Sequence, residues 1–579
     1  MNILGLSCFY HDAAAALVQD GRLVAAAQEE RFTRKKHDER FPSSAIRYCL
    51  REAKIQPSDI EYIGFYDKPL VKFERILTTY LATFPRSYRA FLKAMPVWLK
   101  EKLWIAQRIR EELGDHGKLL FLDHHLSHAA SAFLVSPFTE AAILTADGVG
   151  EWETTTMGVG SGTNISLTHS LHFPHSLGLL YSAFTGYLGF RVNSGEYKVM
   201  GLAPYGKPIY ADRILRELVS VKEDGSFRIN MKYFAYDYGL RMTNRRFHDL
   251  FGGPSREPES PLTQFHKDVA ASIQQVTDDI MVRMATHLHG KTGLDNLCLA
   301  GGVALNCVSN SAILAASGFR KLFIQPAAGD AGGAVGAAFY ISRTLLNGAD
   351  KYVWGNDFLG PGYTDEEIAA ILGELGLTAE RLERGELLRR TASLIAGQNV
   401  VGWFQGRMEF GPRALGARSI LADARNSENV SRVNLKIKFR ESFRPFAPTV
   451  LEEHMREYFD FGEPSPHMLF VAQVRPERRT IPAVTHVDGS ARLQTIARGD
   501  HPLFYDLIAE FERQTGCPVV INTSFNVRGE PIVCTPLDAI RCFLRTDMDY
   551  LALGSYILEK RRLREAGYQF RFDDTIEPD

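Results

Sequence analysis

Short apolar runs rich in Val, Ile, Leu and Ala occupy residues 2–7, 13–19 and 22–28, and Asp20-Gly21 between the last two is a strong hairpin-turn signal. The chain is therefore expected to open as an antiparallel meander. Further apolar strand candidates at 61–66, 119–123 and 141–146, and later at 296–300 and 321–325, alternate with helical stretches. That alternation predicts layered α/β architecture, with two such halves making a cleft. Between Lys68 and Arg110 the pattern is helical and cationic, with only Glu74 and Glu101 as acids and with Phe84, Tyr88, Phe91, Trp98 and Trp104 interleaved. It reads as an inserted helical pair that lays its aromatics on the domain and leaves its cations in water, in preference to a basic amphipathic surface. Turn residues crowd 353–363 before Thr364-Asp365-Glu366-Glu367, where Thr can cap a new helix and the carboxylates favour its N-terminus. The main boundary is placed there, giving domains 1–354 and 355–579. No internal repeat of 20–50 residues and no low-complexity tract stands out.

Composition narrows the function. The chain has 579 residues, 67 Lys+Arg against 68 Asp+Glu, and 45% hydrophobic residues, which excludes disorder and collagen-like order. Balanced charge removes the whole-molecule attraction for polyphosphate that nonspecific nucleic-acid binders use, so no nucleic-acid partner is expected and an anion must be met by a local pocket. The seven cysteines form an odd set without a C-x-x-C pair, which speaks against a disulfide framework or a zinc ribbon. With no signal-like N-terminus and no run of 18 apolar residues, a cytoplasmic protein without a membrane span is expected.

Two constellations carry candidate chemistry. His124 and His128, four apart in Asp123-His124-His125-Leu126-Ser127-His128, would project from one helix face. Asp147 ends a strand at a glycine turn, and Asp330 lies in Ala328-Gly329-Asp330-Ala331-Gly332-Gly333 ahead of a helix. Two imidazoles and two carboxylates without thiolate suit iron, manganese or zinc. The glycine turns Gly301-Gly302-Val303-Ala304-Leu305-Asn306 and Gly329 to Gly333 could cradle phosphates, although neither fits the P-loop or dinucleotide pattern. In the C-terminal half, Gly406 to Ser419 sets Arg407, Arg413 and Arg418 among glycines. Lys436, Lys438, Arg440 and Arg444 follow, and Arg492, Asn522-Thr523-Ser524 and Arg528 add polar and cationic groups at strand ends. Arg413, Lys438 and Arg444 are candidate phosphate clamps.

Taken together, the chain resembles the O-carbamoyltransferase family of the nodulation, cephamycin and tobramycin type over nearly its whole length. The carriers are Phe9-Tyr10-His11-Asp12-Ala13, Gln28-Glu29-Glu30-Arg31-Phe32-Thr33, His124 to His128, Asp147-Gly148, Gly195 to Gly206, Gly301 to Asn306, Gly329 to Gly333, Gly406 to Gly416 and Asn522 to Pro531. The resemblance implies an actin/Hsp70-like N-terminal domain and a YrdC-like C-terminal domain. The C-terminal domain would use carbamoyl phosphate and ATP to form carbamoyl-adenylate, and the N-terminal domain would pass the carbamoyl group to a hydroxyl of a small-molecule acceptor, a sugar or a natural product. It further implies His124, His128, Asp147 and Asp330 as ligands of a divalent metal, iron first and manganese or zinc as alternatives, with magnesium for the ATP. His11 would stand beside the transfer site as base or as a neighbour of the metal. Arg413, Lys438, Arg444, Arg492 and Ser524 would hold carbamoyl phosphate or the adenylate, joined in nucleotide binding by Arg528, Gly301, Gly302, Asn306, Gly329, Gly332 and Gly333. Lys36, or Lys35 beside it, would supply a cation near the nucleotide. A homo-oligomer is compatible with the sequence. The rivals are a tRNA threonylcarbamoyl-type modifying enzyme, which would need a basic footprint absent outside 68–110, and a non-enzymatic actin-like nucleotide switch.

Overall fold

The computed structural model describes residues 1–348, 350–441 and 443–568. Two compact units emerge, one of Met1–Glu29 with His37–Trp354 and the other of Glu30–Lys36 with the chain from Gly355 onward.

In the first unit, β1 (Asn2–Ser7), β2 (Ala14–Gln19) and β3 (Arg22–Gln28) form the antiparallel meander, turning at Asp20 and Gly21 with φ of 49° and 77°. These left-handed values match the twist of the flanking strands, which is why Asp-Gly serves there. β4 (Tyr62–Phe65) and β5 (Lys118–Phe121) add in parallel, for an order of β3-β2-β1-β4-β5. A second sheet repeats the design: β6 (Glu140–Ala146), β7 (Glu153–Ser161) and β8 (Asn164–His172) form a meander. After a small hairpin of β9 (Val219–Val221) and β10 (Phe227–Ile229), β11 (Asn296–Ala300) and β12 (Lys321–Phe323) complete the order β12-β11-β6-β7-β8. This twice-used arrangement, a meander with two parallel strands beside its first strand, is the actin/Hsp70-like topology that the resemblance implies. The duplication exists in topology although the sequence shows no repeat.

Two buried helices join the sheets to the chemistry. The helix His124–Phe133 and the helix Asp330–Phe339 meet where Gly336 rests on the backbone of Ser127; a Cβ at Gly336 would sit 1.8 Å from the Ser127 carbonyl oxygen. Gly5 of β1 is pressed as closely against Ala334. Small residues at these crossings let three backbones approach to distances that side chains would forbid.

The inserted segment between β4 and β5 holds helices Pro69–Ala82, Tyr88–Lys100 and Ile105–Leu113. Ala90, Met95 and Trp98 face inward, but Phe84, Tyr88 and Trp104 are exposed, and Lys72 and Arg75 are buried. The expected division, aromatics inside and cations in water, is therefore corrected at both ends: several aromatics lie outside and two cations lie inside.

The second unit is built on a ten-stranded mixed sheet. Its strands are β13 (Glu380–Arg381), β14 (Val401–Phe404), β15 (Arg418–Asp423), β16 (Ala447–Leu451), β17 (Phe459–Asp460), β18 (Phe470–Val474), β19 (Ser490–Ile496), β20 (Val519–Ser524), β21 (Tyr550–Leu553) and β22 (Tyr556–Glu559). They lie in the order β13-β22-β21-β14-β15-β20-β16-β19-β18-β17. Trp403, Phe404, Phe504, Phe511, Phe525 and Phe543 fill its core. Thr364 and Glu367 cap the helix Asp365–Glu374 reciprocally, as that segment's sequence suggests. The excursion Glu30–Lys36 is tied into this unit by Arg31 Nη2 donating to Gly411 O (2.7 Å) and Arg34 donating to Pro531 O (2.8 Å) and Ile532 O (2.6 Å), while Phe32 rests on Met408, Ala414, Ile532 and Cys534. Among the described residues no helix is long and apolar enough to cross a membrane.

Candidate functional site

In the first unit the four candidate ligands converge. Asp123 starts the helix on which His124 and His128 lie one turn apart, Asp147 follows β6, and Asp330 opens the helix whose Gly336 touches Ser127. His124 Nε2 lies 2.9 Å from Asp147 Oδ2 and 3.1 Å from His128 Nε2, and Asp330 Oδ1 lies 3.7 Å from His124 Nε2 and 3.5 Å from His128 Nε2. All four residues are buried, and one ligand atom from each falls within 4.8 Å of the others. Neither carboxylate oxygen of Asp330 has a hydrogen-bond partner. A fully buried carboxylate left this way, with two imidazoles turned to the same point, fits a divalent cation of borderline character. Burial opposes ionisation of Asp147, but its bonds from His124 and His128 hold its carboxyl well below the usual range. Burial likewise works against the His128 imidazolium, yet Asp147 and Asp330 push its pKa up to about 9. Such a set releases protons when a cation displaces them.

The glycine turn at 301–302 positions a ligand: Gly302 N–H donates to Asp147 Oδ1 at 2.9 Å, leaving Oδ2 to face the histidines. Gly301 has φ of 94° and a Cβ there would meet Ala146 O at 2.2 Å. Gly332 and Gly333 are needed for close contact with Gln325, Ala327 and Tyr66, whereas a Cβ at Gly329 would make only an ordinary contact of 3.7 Å with Leu305 Cδ1. Asn306 caps the helix Cys307–Ala316 and exchanges hydrogen bonds with Gln274. His125, between the two candidate ligands, is held neutral by burial, its nitrogens engaged by Thr145 Oγ1 (2.6 Å) and Glu153 O (3.0 Å).

His11 is 21% exposed at its side chain, and its Nδ1 lies 3.0 Å from Asp12 Oδ2; the other Asp12 oxygen lies 2.8 Å from His37 Nδ1. Sequence reading passed over Asp12 and His37 as partners, although Asp12 adjoins His11 in the same motif. Burial works against the His11 imidazolium, but Asp330, the Asp12 bond and Asp147 together push its pKa up to about 10. His11 and the four-residue cluster thus share one field.

The second unit brings its cations to one end of four adjacent strands. Ser524 of β20 pairs with Ser419 of β15, Asn522 pairs with Ala447 at the start of β16, and β16 runs parallel to β19, which carries Arg492. Arg444 lies just before β16, with its Nη1 3.6 Å from Glu441 Oε2. Arg413 sits in the loop between β14 and β15, which is organised by Glu409, a residue given no role from the sequence. Its Oε1 accepts the N–H groups of Leu415 (2.8 Å), Ala417 (2.8 Å) and Arg418 (3.0 Å). Lys438 is 2% exposed, and its ammonium donates to Ser524 O (2.6 Å), Ser524 Oγ (3.1 Å), Asn526 O (3.0 Å) and Asn526 Oδ1 (2.5 Å). Its visible work is to brace the loop that carries Arg528, whose N–H donates to Lys438 O at 3.2 Å. Arg418 is fully buried over the Phe404 ring and bonded to four carbonyls, a structural cation rather than a free clamp. Lys36, half-buried, ends the Glu30–Lys36 excursion, beside the exposed Lys35.

The fold defines an α/β protein with a duplicated actin-like unit and a second unit whose mixed sheet carries arginine and lysine side chains at one end. The family model for the carbamoyltransferase N-terminus matches residues 2–339 and that for the carbamoyltransferase C-terminus matches residues 392–560, so the chain belongs to the carbamoyltransferase family. It is 52% identical to the uncharacterized protein sll1178 of Synechocystis over the full length of both. It is 40% identical to the nodulation protein NolNO of Sinorhizobium fredii over 96% of this chain and 79% of that one, and 31% identical to nodulation protein U of Rhizobium tropici over 91% of each. These matches make it an O-carbamoyltransferase. A solved HypF of T. kodakarensis is similar at 13% identity and a TM-score of 0.30 over 60% of this chain and 48% of that one.

Proposed function

We propose that the second unit makes carbamoyl-adenylate from carbamoyl phosphate and ATP, releasing phosphate and pyrophosphate, and that the first unit transfers the carbamoyl group to a hydroxyl of a small-molecule acceptor, releasing AMP. The observation that carries the reading is the pairing, in one carbamoyltransferase chain, of a buried His124/His128/Asp147/Asp330 cluster with an Arg413/Arg444/Arg492 group gathered at one end of a sheet. A carbamoyl group is a poor electrophile, and its mixed anhydride with AMP is reactive and lost to water, so the two steps belong in one protein.

In the second unit, water first splits carbamoyl phosphate into carbamate and phosphate; Arg413, Arg444, Arg492 and Arg528 then offset phosphate charge while the carbamate oxygen attacks the α-phosphorus of ATP and pyrophosphate leaves. Lys438 acts by holding Ser524 and Asn526 in place. In the first unit, His124, His128, Asp147 and Asp330 would hold the divalent cation, iron, manganese or zinc; when bound, it supplies Lewis-acid charge beside the transferred group. The acceptor oxygen attacks the carbamoyl carbon, the bond to the phosphate oxygen breaks, and the acceptor proton passes to His11 Nε2, whose Nδ1 is oriented by Asp12. That role requires the Asp330 and Asp147 charges to be offset, since uncompensated they keep His11 protonated at neutral pH. The nucleotide is expected along the 301–302 and 329–333 turns.

The test is ATP/pyrophosphate exchange followed by a transfer assay with labelled carbamoyl phosphate. Exchange that depends on carbamoyl phosphate, together with label in a product of increased mass, supports the reading; ATP turned over to ADP overturns it.

A further inference from the structure

Arg75 is the anomaly among the cations of the first unit. It lies on the inserted helix Pro69–Ala82, is 7% exposed, and its Nε is buried without a hydrogen-bond partner. Among the described residues no carboxylate comes within ion-pair distance of its guanidinium, because the acids around it are engaged elsewhere. Asp67 Oδ2 takes the Lys72 ammonium at 2.5 Å, and Glu151 accepts the backbone N–H groups of Lys68 (2.8 Å) and His124 (3.0 and 3.2 Å). The guanidinium stands 5.1 Å from the centre of the Phe173 ring. Burial lowers its pKa to about 10, so it is still charged at neutral pH. The same charge reaches Tyr10: burial raises the Tyr10 phenol, Asp147 and Asp330 raise it further, and Arg75 opposes them. Tyr10 thus lies within the fields of both Arg75 and the carboxylate cluster, next in sequence to His11.

A buried charge without a counter-ion is costly, and chains keep one where a ligand completes it. We propose that Arg75 anchors an oxyanion carried by the acceptor, a carboxylate or a phosphate or sulfate ester, held bidentately by the guanidinium with Phe173 on one side. The acceptor class is then an acidic hydroxy compound. This rests on the transferase reading above. The acceptor is favoured over the nucleotide as the source of the oxyanion because Arg75 comes from the helix Pro69–Ala82, whereas the nucleotide is expected along the 301–302 and 329–333 turns and the phosphates of the activation step have their own cations in the second unit.

The test measures melting of the full-length protein in sodium chloride and with sodium phosphate or sodium acetate replacing part of it at constant ionic strength. Ten millimolar-scale phosphate or acetate is expected to raise the wild-type melting temperature by roughly 1–3 °C. Arg75→Met is expected to lose that increment, and in chloride alone to melt at or above the wild-type temperature, since the unpaired charge is gone. Because phosphate also meets Arg413, Arg444 and Arg492 in the second unit, the comparison of variants is read from the acetate increment, and Arg245→Ala, which removes an exposed cation of the first unit, should keep that increment. An increment unchanged in Arg75→Met overturns the proposal. If Arg75→Met yields no folded protein, Arg75→Lys, which keeps the charge and loses the fork, replaces it: a reduced increment supports the site and an undiminished one contradicts it. AMP serves as the other arm; if micromolar AMP elicits the Arg75-dependent increment more strongly than phosphate or acetate, the oxyanion is the nucleotide's and the acceptor assignment fails. Pyrophosphate exchange by the wild type, measured separately, tells failure of the transferase reading from failure of this site.

Discussion

Asp330→Asn should lower the stability of the protein and remove most of the gain that a divalent cation gives it. Asp330 is fully hidden from water, with both oxygens lacking hydrogen-bond partners. With the ligand atoms within 4.8 Å of one another, two carboxylate charges repel by about 3–4 kcal/mol at an effective dielectric constant of about 20. Burial adds to that cost, but His11, His128 and His124 outweigh both and hold the Asp330 carboxyl below its usual range, so removing its charge from the cation-free protein should destabilise it. A cation at a hundred times its dissociation constant stabilises the wild type by about 2.7 kcal/mol. Asp330→Asn, short of one anionic ligand, should recover well under half of that. Calorimetry after chelation, and again with manganese, zinc or anaerobic ferrous iron, would show the variant melting below the wild type in both conditions, with the gap widening when the cation is present. A gain from each cation equal to that of the wild type would refute the assignment of Asp330 as a ligand.

Further outcomes follow from the same contacts. Gly336→Ala places a methyl group 1.8 Å from Ser127 O, so it should reduce bound metal, read by elemental analysis, without altering any ligand. His11→Asn should leave pyrophosphate exchange intact and lower carbamoyl transfer by about 10²–10⁴-fold; equal loss of both would contradict the division between units. Lys438→Met should lower stability by about 2–4 kcal/mol and abolish exchange together, because the buried oxygens of Ser524 and Asn526 lose their donor. Burial raises the pKa of Asp278 to about 6 from 3.8, against the bonds from Ser309 and Gln274. A raised acid costs stability fully above about pH 6 and not at all below 3.8, so Asp278→Asn should be more stable than wild type by up to about 3 kcal/mol at pH 7.5. That gain should vanish in melting curves near pH 4.

What the sequence discloses here is what local spacing encodes. His124 and His128 are one helical turn apart, so their shared face is visible in the order of residues, as is the turn at Asp20-Gly21. That Asp147 and Asp330 meet them depends on Gly336 resting against Ser127 and on Gly302 donating to Asp147, contacts between distant segments that no local pattern reveals. β7 and β8 escaped notice because β8 is largely solvent-facing and polar, offering no apolar run. The Glu30–Lys36 excursion belongs to the second unit through carbonyls at 411, 531 and 532, hundreds of residues away. Arg75 looks like one more surface cation until its burial and its lack of a carboxylate are seen. Lys438 reads as a phosphate clamp in sequence, whereas its ammonium is already surrounded by protein oxygens.

The central claim is that ATP is split between its α- and β-phosphates to activate the carbamoyl group. Purified protein incubated with ATP, labelled pyrophosphate and the chosen cation should return label to ATP only when carbamoyl phosphate is added, and Arg413→Ala should stop it. Label that appears without carbamoyl phosphate, or ADP in place of AMP among the products, would contradict the account.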